Sequence, residues 1–124
     1  MAGAEPSFDI VSLGEAMVEF NQTREGDGRV YLQGFGGDTS NFAIAAARQG
    51  ARVAYVSALG DDVDGRRLRA LWDAEGVDHR HVATDVSAYT GVYFVSHGER
   101  GHEFSFFRAG SAASRMTPAA LLLA

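Results

Sequence analysis

Apolar residues along the chain fall into runs whose spacing alternates between that of strands and that of helices. Residues 8–14 and 52–59 are short β-branched runs that predict two buried strands. Residues 42–49 and 64–75 have helical spacing, and a glycine follows each of them. This order of strand, helix, strand and helix predicts an α/β domain built on a parallel sheet.

Two further regions interrupt this alternation and predict antiparallel pairing. Residues 16–20 and 29–33 are strand-like and flank a polar, glycine-containing turn. Residues 89–96 and 103–108 are rich in aromatic and β-branched side chains and flank a second glycine turn. Each pair of segments therefore predicts a β-hairpin.

The end of the sequence predicts one more helix, over residues 116–123, with Thr117 as its N-cap and Pro118 in its first turn. Only two or three parallel strands precede it, so the sheet would need further strand–helix units to cover it. We therefore expect this chain to be the N-terminal part of a longer protein.

The composition narrows the possible chemistry. The chain has no cysteine, which excludes disulfides and thiolate catalysis, and all eleven basic residues are arginine. Without lysine, a Walker A site and a Schiff-base enzyme are excluded within this chain. A formal net charge of -5 argues against nucleic acid as a partner. A membrane-spanning helix needs about 20 consecutive apolar residues, and no apolar run in this sequence approaches that length, so we expect no membrane partner. Residues 1–6 lack the basic start of a secretory signal, so we expect a cytoplasmic location.

Gly36 and Gly37 stand just before the predicted helix of residues 42–49. Glycine lets the backbone approach a ligand closely, and free N–H groups at a helix start attract ligand oxygens. The same residues would also suit a plain helix-entry turn capped by Asp38 or Ser40. Their spacing lacks the third glycine of a dinucleotide fingerprint, which argues against NAD.

The segment Gly36-Gly-Asp-Thr-Ser-Asn41, followed at matching distances by Ala43, Gly50 and Gly60, resembles the N-terminal signature of the ribokinase-like (PfkB) sugar kinases. Residues 13–15, 58–62, 76–78, 90–94 and 106–111 resemble the 2-keto-3-deoxygluconate kinase branch of that family. The resemblance implies a Rossmann-like ribokinase fold, of which residues 1–124 would be the incomplete N-terminal part. It also implies a small β lid formed by about residues 16–34 and 89–108, and phosphoryl transfer from ATP with Mg²⁺ to a sugar or sugar acid.

The resemblance also implies which residues would contact the substrate. These are Gly36, Gly37, Asp38, Asn41, Tyr93, Phe106 and Arg108, with Glu15 as a further candidate. Arg108 is the informative residue, because a guanidinium pairs with the carboxylate of a 2-keto acid but finds no such partner on a neutral sugar. From the pattern alone, Tyr93 could instead pack a sheet face, Arg108 could be a surface charge or ion-pair partner, and Asn41 could make only local backbone contacts.

The chemistry of transfer is expected to lie elsewhere. The second signature of the family, Gly-Ala-Gly-Asp with its catalytic aspartate, does not occur, so no catalytic residue is assigned and the chain alone is expected to be inactive. His79 and His81 lack a third ligand, so no metal site is predicted. The leading hypothesis is the N-terminal part of a 2-keto-3-deoxygluconate kinase that forms a homodimer through its lid when complete. The alternatives are a fructokinase- or ribokinase-like enzyme for neutral sugars, or a fragment that only binds sugar or dimerises.

Overall fold

Residues 7–121 are described by the computed structural model, and within them the chain forms seven strands and three α-helices. In chain order these are β1 (Ile10–Leu13), β2 (Met17–Gln22), β3 (Tyr31–Gly36), α1 (Asp38–Arg48), β4 (Val53–Gly60), α2 (Val63–Glu75), β5 (Val82–Asp85), β6 (Val92–Gly98), β7 (Gly101–Phe107) and α3 (Pro118–Leu121). The signal-sequence expectation for residues 1–6 and the end of the predicted last helix, residues 122–123, lie outside the described residues. No helix within residues 7–121 is both long and apolar enough to cross a membrane.

The first sheet is three-stranded and parallel, in the order β1-β4-β5. Ile10 is paired with Val53, and Ser57 with Val82. The parallel sheet predicted from the strand–helix order is therefore confirmed. The central strand β4 is buried along nearly all of its length, which suits a strand with a neighbour on each side and helices packed against it.

Helices α1 and α2 pack on this sheet through a core centred on two aromatic rings. The rings of Tyr55 and Trp72 lie 5.0 Å apart, and both side chains are fully buried. Leu68, one turn before Trp72, is also fully buried, which confirms the apolar face predicted for α2. Burying side chains of this size stabilises the fold by about 2 to 3 kcal/mol each.

The second sheet has four strands in the order β3-β2-β6-β7. The hairpins β2–β3 and β6–β7 are antiparallel, so both predicted hairpins are confirmed. A parallel pairing of β2 with β6 joins them, with Val18 opposite Val92. The stacked rings of Phe20 and Phe94, 5.1 Å apart, reinforce this seam.

Helix α1 begins at Asp38, so the start at residue 42 predicted from the apolar spacing was four residues too late. Its N-cap is Gly37, which provides no side-chain cap, so the alternative of a helix entry capped by Asp38 or Ser40 is wrong. Gly37 has φ 101° and ψ 115°, a conformation that turns the chain from β3 into the helix within one residue. The Ser40 hydroxyl instead accepts a hydrogen bond of 3.0 Å from Trp72 Nε1.

Two boundaries in the second half of the chain also differ from the prediction. Strand β5 was not predicted, because it has only four residues and only Val82 among them is buried. Strand β6 begins at Val92 instead of residue 89, because Thr90 is bound elsewhere: its backbone N–H donates to Asp62 Oδ2 at 2.9 Å and its hydroxyl to Asp62 Oδ1 at 2.8 Å. The predicted capping at the start of the last helix is confirmed, since the N–H of Ala120 donates to Thr117 Oγ1.

Candidate functional site

A cavity of about 420 Å³ lies where the links between the two sheets meet the start of α1. Its walls come from the β1–β2 link and β2, the first turn of α1, and strands β6 and β7 with the residue that follows. The lining residues are Glu15, Met17, Gly37, Asp38, Thr39, Tyr93, Phe104, Phe106 and Arg108. The structure thus brings together all of the candidate residues except Gly36 and Asn41.

Gly36 and Gly37 allow the backbone to pass close to its neighbours where β3 leads into α1, and Gly37 lines the cavity. A Cβ atom on Gly36 would collide with the hydroxyl group of Tyr93, and one on Gly37 would collide with the backbone of Glu15 and Ala16. Gly37 also has a positive φ, which only glycine adopts without strain. The glycine pair is therefore required by the local geometry, whatever ligand the cavity receives.

The first turn of α1 is fixed to the first sheet by side-chain hydrogen bonds. The hydroxyl groups of Thr39 and Tyr55 lie 2.8 Å apart, and Ser12 Oγ donates to the carbonyl oxygen of Thr39 at 2.9 Å. Burial raises the pKa of Tyr55 to about 12, so this phenol stays protonated at neutral pH. Tyr55 was not among the predicted site residues, although it is a single tyrosine in the middle of an otherwise small and aliphatic buried strand.

An aromatic wall from the second sheet closes one side of the cavity. Tyr93 packs against Phe106 and Phe104, with ring centroids 5.5 Å and 6.1 Å away. Its hydroxyl donates to Glu19 Oε2 at 3.1 Å, and burial together with this carboxylate raises the pKa of Tyr93 to about 12. Tyr93 thus packs a sheet face and also lines the cavity. Phe104 was missed, although its two-residue spacing from Phe106 places both side chains on one face of β7.

The charged groups of the cavity come from Glu15, Asp38 and Arg108. Arg108 Nε lies 3.5 Å from Glu15 Oε1, so the ion-pair alternative considered for Arg108 is present in this structure. Its side chain is 56% exposed, and its terminal nitrogens make no hydrogen bond within residues 7–121. The other carboxylate oxygen of Glu15 accepts a hydrogen bond of 2.6 Å from Ser111 Oγ. The cavity therefore offers carboxylate acceptors and a partly free guanidinium, a set that suits a hydroxylated ligand.

Asn41 lies outside this cavity. It is exposed on the first turns of α1 and lines a separate hollow with Phe35, Arg48 and Glu75. Its predicted role in substrate binding stays a prediction. Within residues 7–121 no group of three or more histidine or acidic side chains is placed to hold a metal ion.

The chain is similar in sequence to sugar kinases, and its fold is similar to solved structures of sugar kinases. The 2-dehydro-3-deoxygluconokinase of Thermoproteus tenax is 36% identical over 122 residues, which are 93% of this chain and 37% of that protein. Fructokinase-2 of Solanum habrochaites is 40% identical over 128 residues, which are 98% of this chain and 38% of that protein. The chain thus spans well under half the length of these relatives.

The solved structures that resemble this chain include a PfkB protein and a fructokinase. A PfkB protein from a Polaromonas species superposes with a TM-score of 0.85 at 35% identity, covering 92% of this chain and 40% of that one. The fructokinase from Xylella fastidiosa with bound ATP gives a TM-score of 0.82 at 30% identity, covering 90% and 34%. These neighbours confirm the fold expected from the resemblance, as an N-terminal portion of it. The model of the pfkB family of carbohydrate kinases matches residues 7–123. This chain therefore belongs to the pfkB carbohydrate kinase family.

Proposed function

We propose that this chain is the N-terminal part of an ATP-dependent sugar kinase, and that the cavity between its two sheets holds the acceptor sugar. The observation that carries the proposal is the convergence on one cavity of the glycine-led start of α1 with Tyr93, Phe106 and Arg108 from the second sheet. Backbone N–H groups at the helix start and the carboxylates of Glu15 and Asp38 are suitable partners for sugar hydroxyls. We infer that the second sheet is the lid of this sugar site.

The phosphoryl donor belongs to a part of the protein that this chain does not span. The relative from Xylella fastidiosa was solved with bound ATP, which supports ATP as the donor here. Residues 7–121 do not fit a nucleotide site, since they hold no group of acidic side chains placed for Mg²⁺ and the cavity offers a single guanidinium. We therefore assign no step of phosphoryl transfer to residues of this chain, and expect no sugar-dependent ADP release from it alone.

We assign 2-keto-3-deoxygluconate as the acceptor. Arg108 Nε lies 3.5 Å from Glu15 Oε1, and the terminal nitrogens of Arg108 make no hydrogen bond within residues 7–121, so these nitrogens are available for the carboxylate of a sugar acid. The similarity to the 2-dehydro-3-deoxygluconokinase of Thermoproteus tenax supports this choice. The second candidate is a neutral ketose such as fructose, which is favoured by the two carboxylates in the cavity and by the similarity to fructokinases.

The test is isothermal titration of the 124-residue chain with each sugar. Arg108→Gln should weaken binding of 2-keto-3-deoxygluconate by about 2 kcal/mol, roughly thirtyfold, because a charge-assisted pair is lost from a half-exposed position. Fructose binding should change far less. Arg100→Gln, in the exposed β6–β7 turn, removes the same charge away from the cavity and serves as the control. Equal losses for both sugars would contradict the assignment of the acid.

A homodimer formed through the second sheet is the proposed assembly. This sheet exposes large apolar side chains, including Leu32 at 69% and Phe107 at 55%. Because the proposed interface lies within this chain, light scattering at micromolar concentration should give a dimer that Leu32→Glu weakens. Val86→Glu is the control, since Val86 is 82% exposed but lies outside that sheet. A monomeric wild type would contradict the proposal.

A further inference from the structure

The carboxylate of Glu15 is held in place by the segment that follows β7. Its Oε2 accepts a hydrogen bond of 2.6 Å from Ser111 Oγ, and its Oε1 lies 3.5 Å from Arg108 Nε. Ser111 is fully buried, and the Glu15 side chain is only 14% exposed. The acidic group is therefore anchored beside Arg108 from a direction that solvent does not reach.

A third chain segment encloses the same carboxylate. A Cβ atom on Gly91 would lie 2.7 Å from Glu15 Oε2, so the absence of a side chain there leaves just enough room for the acid. Gly91 immediately precedes β6, Glu15 links β1 to β2, and Ser111 follows β7. Because two connections between the sheets and the segment that follows β7 meet at this group, Glu15 cannot move away from Arg108 without displacing its surroundings.

We propose that Glu15 is a fixed counter-charge that sets the preference of the cavity between acidic and neutral sugars. The inference rests on the proposed function, since it assumes that a sugar occupies this cavity. A ligand carboxylate paired with the terminal nitrogens of Arg108 must also approach Glu15, and the repulsion offsets part of the attraction. A neutral sugar meets no such repulsion and can donate hydroxyl protons to the same carboxylate. Glu15 therefore acts on specificity in two ways: it balances the charge of Arg108, and it accepts hydrogen bonds from the hydroxyl groups of a neutral sugar.

The experiment measures the ratio of the affinities for 2-keto-3-deoxygluconate and fructose by titration of the 124-residue chain. Glu15→Gln removes the charge but keeps an amide oxygen that can accept from Ser111 Oγ. We expect this variant to raise the ratio in favour of the acid about tenfold, the effect of removing one like charge at close range in a half-exposed site. Glu99→Gln in the exposed β6–β7 turn removes the same charge at a distance and should leave the ratio unchanged.

The two proposals fail in different ways in this experiment. An unchanged or lower ratio in Glu15→Gln overturns the role of Glu15, even where the wild type prefers the acid. A tenfold rise from a wild type that prefers fructose supports the role of Glu15 and contradicts the assignment of the acidic substrate. No binding of either sugar overturns both. If Glu15→Gln does not fold, as judged by circular dichroism, Glu15→Asp replaces it in the experiment. Its carboxylate is one methylene further from the ligand, so the affinity ratio should rise about twofold to threefold. If the ratio does not rise, the proposal is overturned.

Discussion

The hydrogen bond between Tyr55 and Thr39 connects the centre of the core to the candidate site, and Tyr55→Phe tests what it contributes. Tyr55 is fully buried, while Thr39 lies half-buried at the cavity, and their hydroxyl oxygens are 2.8 Å apart. The substitution removes one oxygen and leaves the ring in place against Trp72, 5.0 Å away. The change therefore separates the contribution of the hydroxyl group from that of the ring packing.

The expected loss is about 1 kcal/mol in the free energy of unfolding, equal to about a fivefold change in the ratio of folded to unfolded protein. The value lies at the low end for a buried hydrogen bond because Thr39 faces the cavity, where water can replace the lost partner. Ser12 Oγ still donates to the carbonyl oxygen of Thr39, so the helix start keeps its second attachment. A much larger loss would be expected only if both groups were sealed from solvent.

Urea denaturation at pH 7, followed by circular dichroism, gives the free energy directly. Tyr31→Phe is the matched control, because Tyr31 is 39% exposed and its hydroxyl makes no hydrogen bond within residues 7–121. Its effect should stay within about 0.5 kcal/mol. A double-mutant cycle with Thr39→Val should assign most of the Tyr55 effect to this pair. If Tyr55→Phe and Tyr31→Phe were equally stable, the proposed attachment of α1 to the core would be refuted.

Two further predictions concern the same region. Because burial raises the pKa of Tyr55 and Tyr93 from 10.0 to about 12, the unfolded chain loses these protons first as pH rises, so stability should fall between about pH 10 and 12. Urea denaturation at pH 8 and pH 11 gives the free energy of unfolding at each pH, and its decline should be smaller in the Tyr55→Phe/Tyr93→Phe double variant than in the wild type. An equal decline would count against the raised pKa values. Gly37→Ala should lower the free energy of unfolding by about 2 to 4 kcal/mol, because Gly37 has a positive φ and its backbone lies against that of Glu15. Gly98→Ala, with open space around it, should lower the free energy of unfolding very little. Comparable losses in the two variants would contradict the argument.

Local sequence pattern was sufficient for the elements whose boundaries depend on their own residues. The apolar spacing of α2, its terminal Gly76 and the Thr117 cap of the last helix each act within a few residues, and the structure has them as predicted. The two hairpins were predicted for the same reason, since each pairs neighbouring segments across a short turn. The boundaries that failed depend on distant partners: Thr90 is held by Asp62, and β5 is defined by its pairing with β4.

The residues of the candidate site also fall into those that a local motif identifies and those that depend on distant partners. The glycine pair and Arg108 were identified because the resemblance depends on short contiguous motifs. The partners of these residues were not identified, since Glu15 is far from Arg108 and Ser111 in the sequence and meets them only after both sheets have formed. Tyr55 escaped notice because its hydrogen bond to Thr39 joins a strand to a helix start sixteen positions earlier.

The register between β2 and β6 decides whether the cavity exists at all. It places Glu19 opposite Tyr93, and the β6–β7 hairpin places Tyr93 opposite Phe106, so the three side chains form a row on one face of the second sheet. A slip of β6 by one residue would turn Tyr93 to the opposite face, and its hydroxyl would lose Glu19. No local motif specifies a parallel pairing between segments that are over seventy positions apart, so this register must come from packing, with Val18 and Phe20 meeting Val92 and Phe94 across the seam. The apolar residues of the seam thus determine where the polar groups of the proposed sugar site are placed.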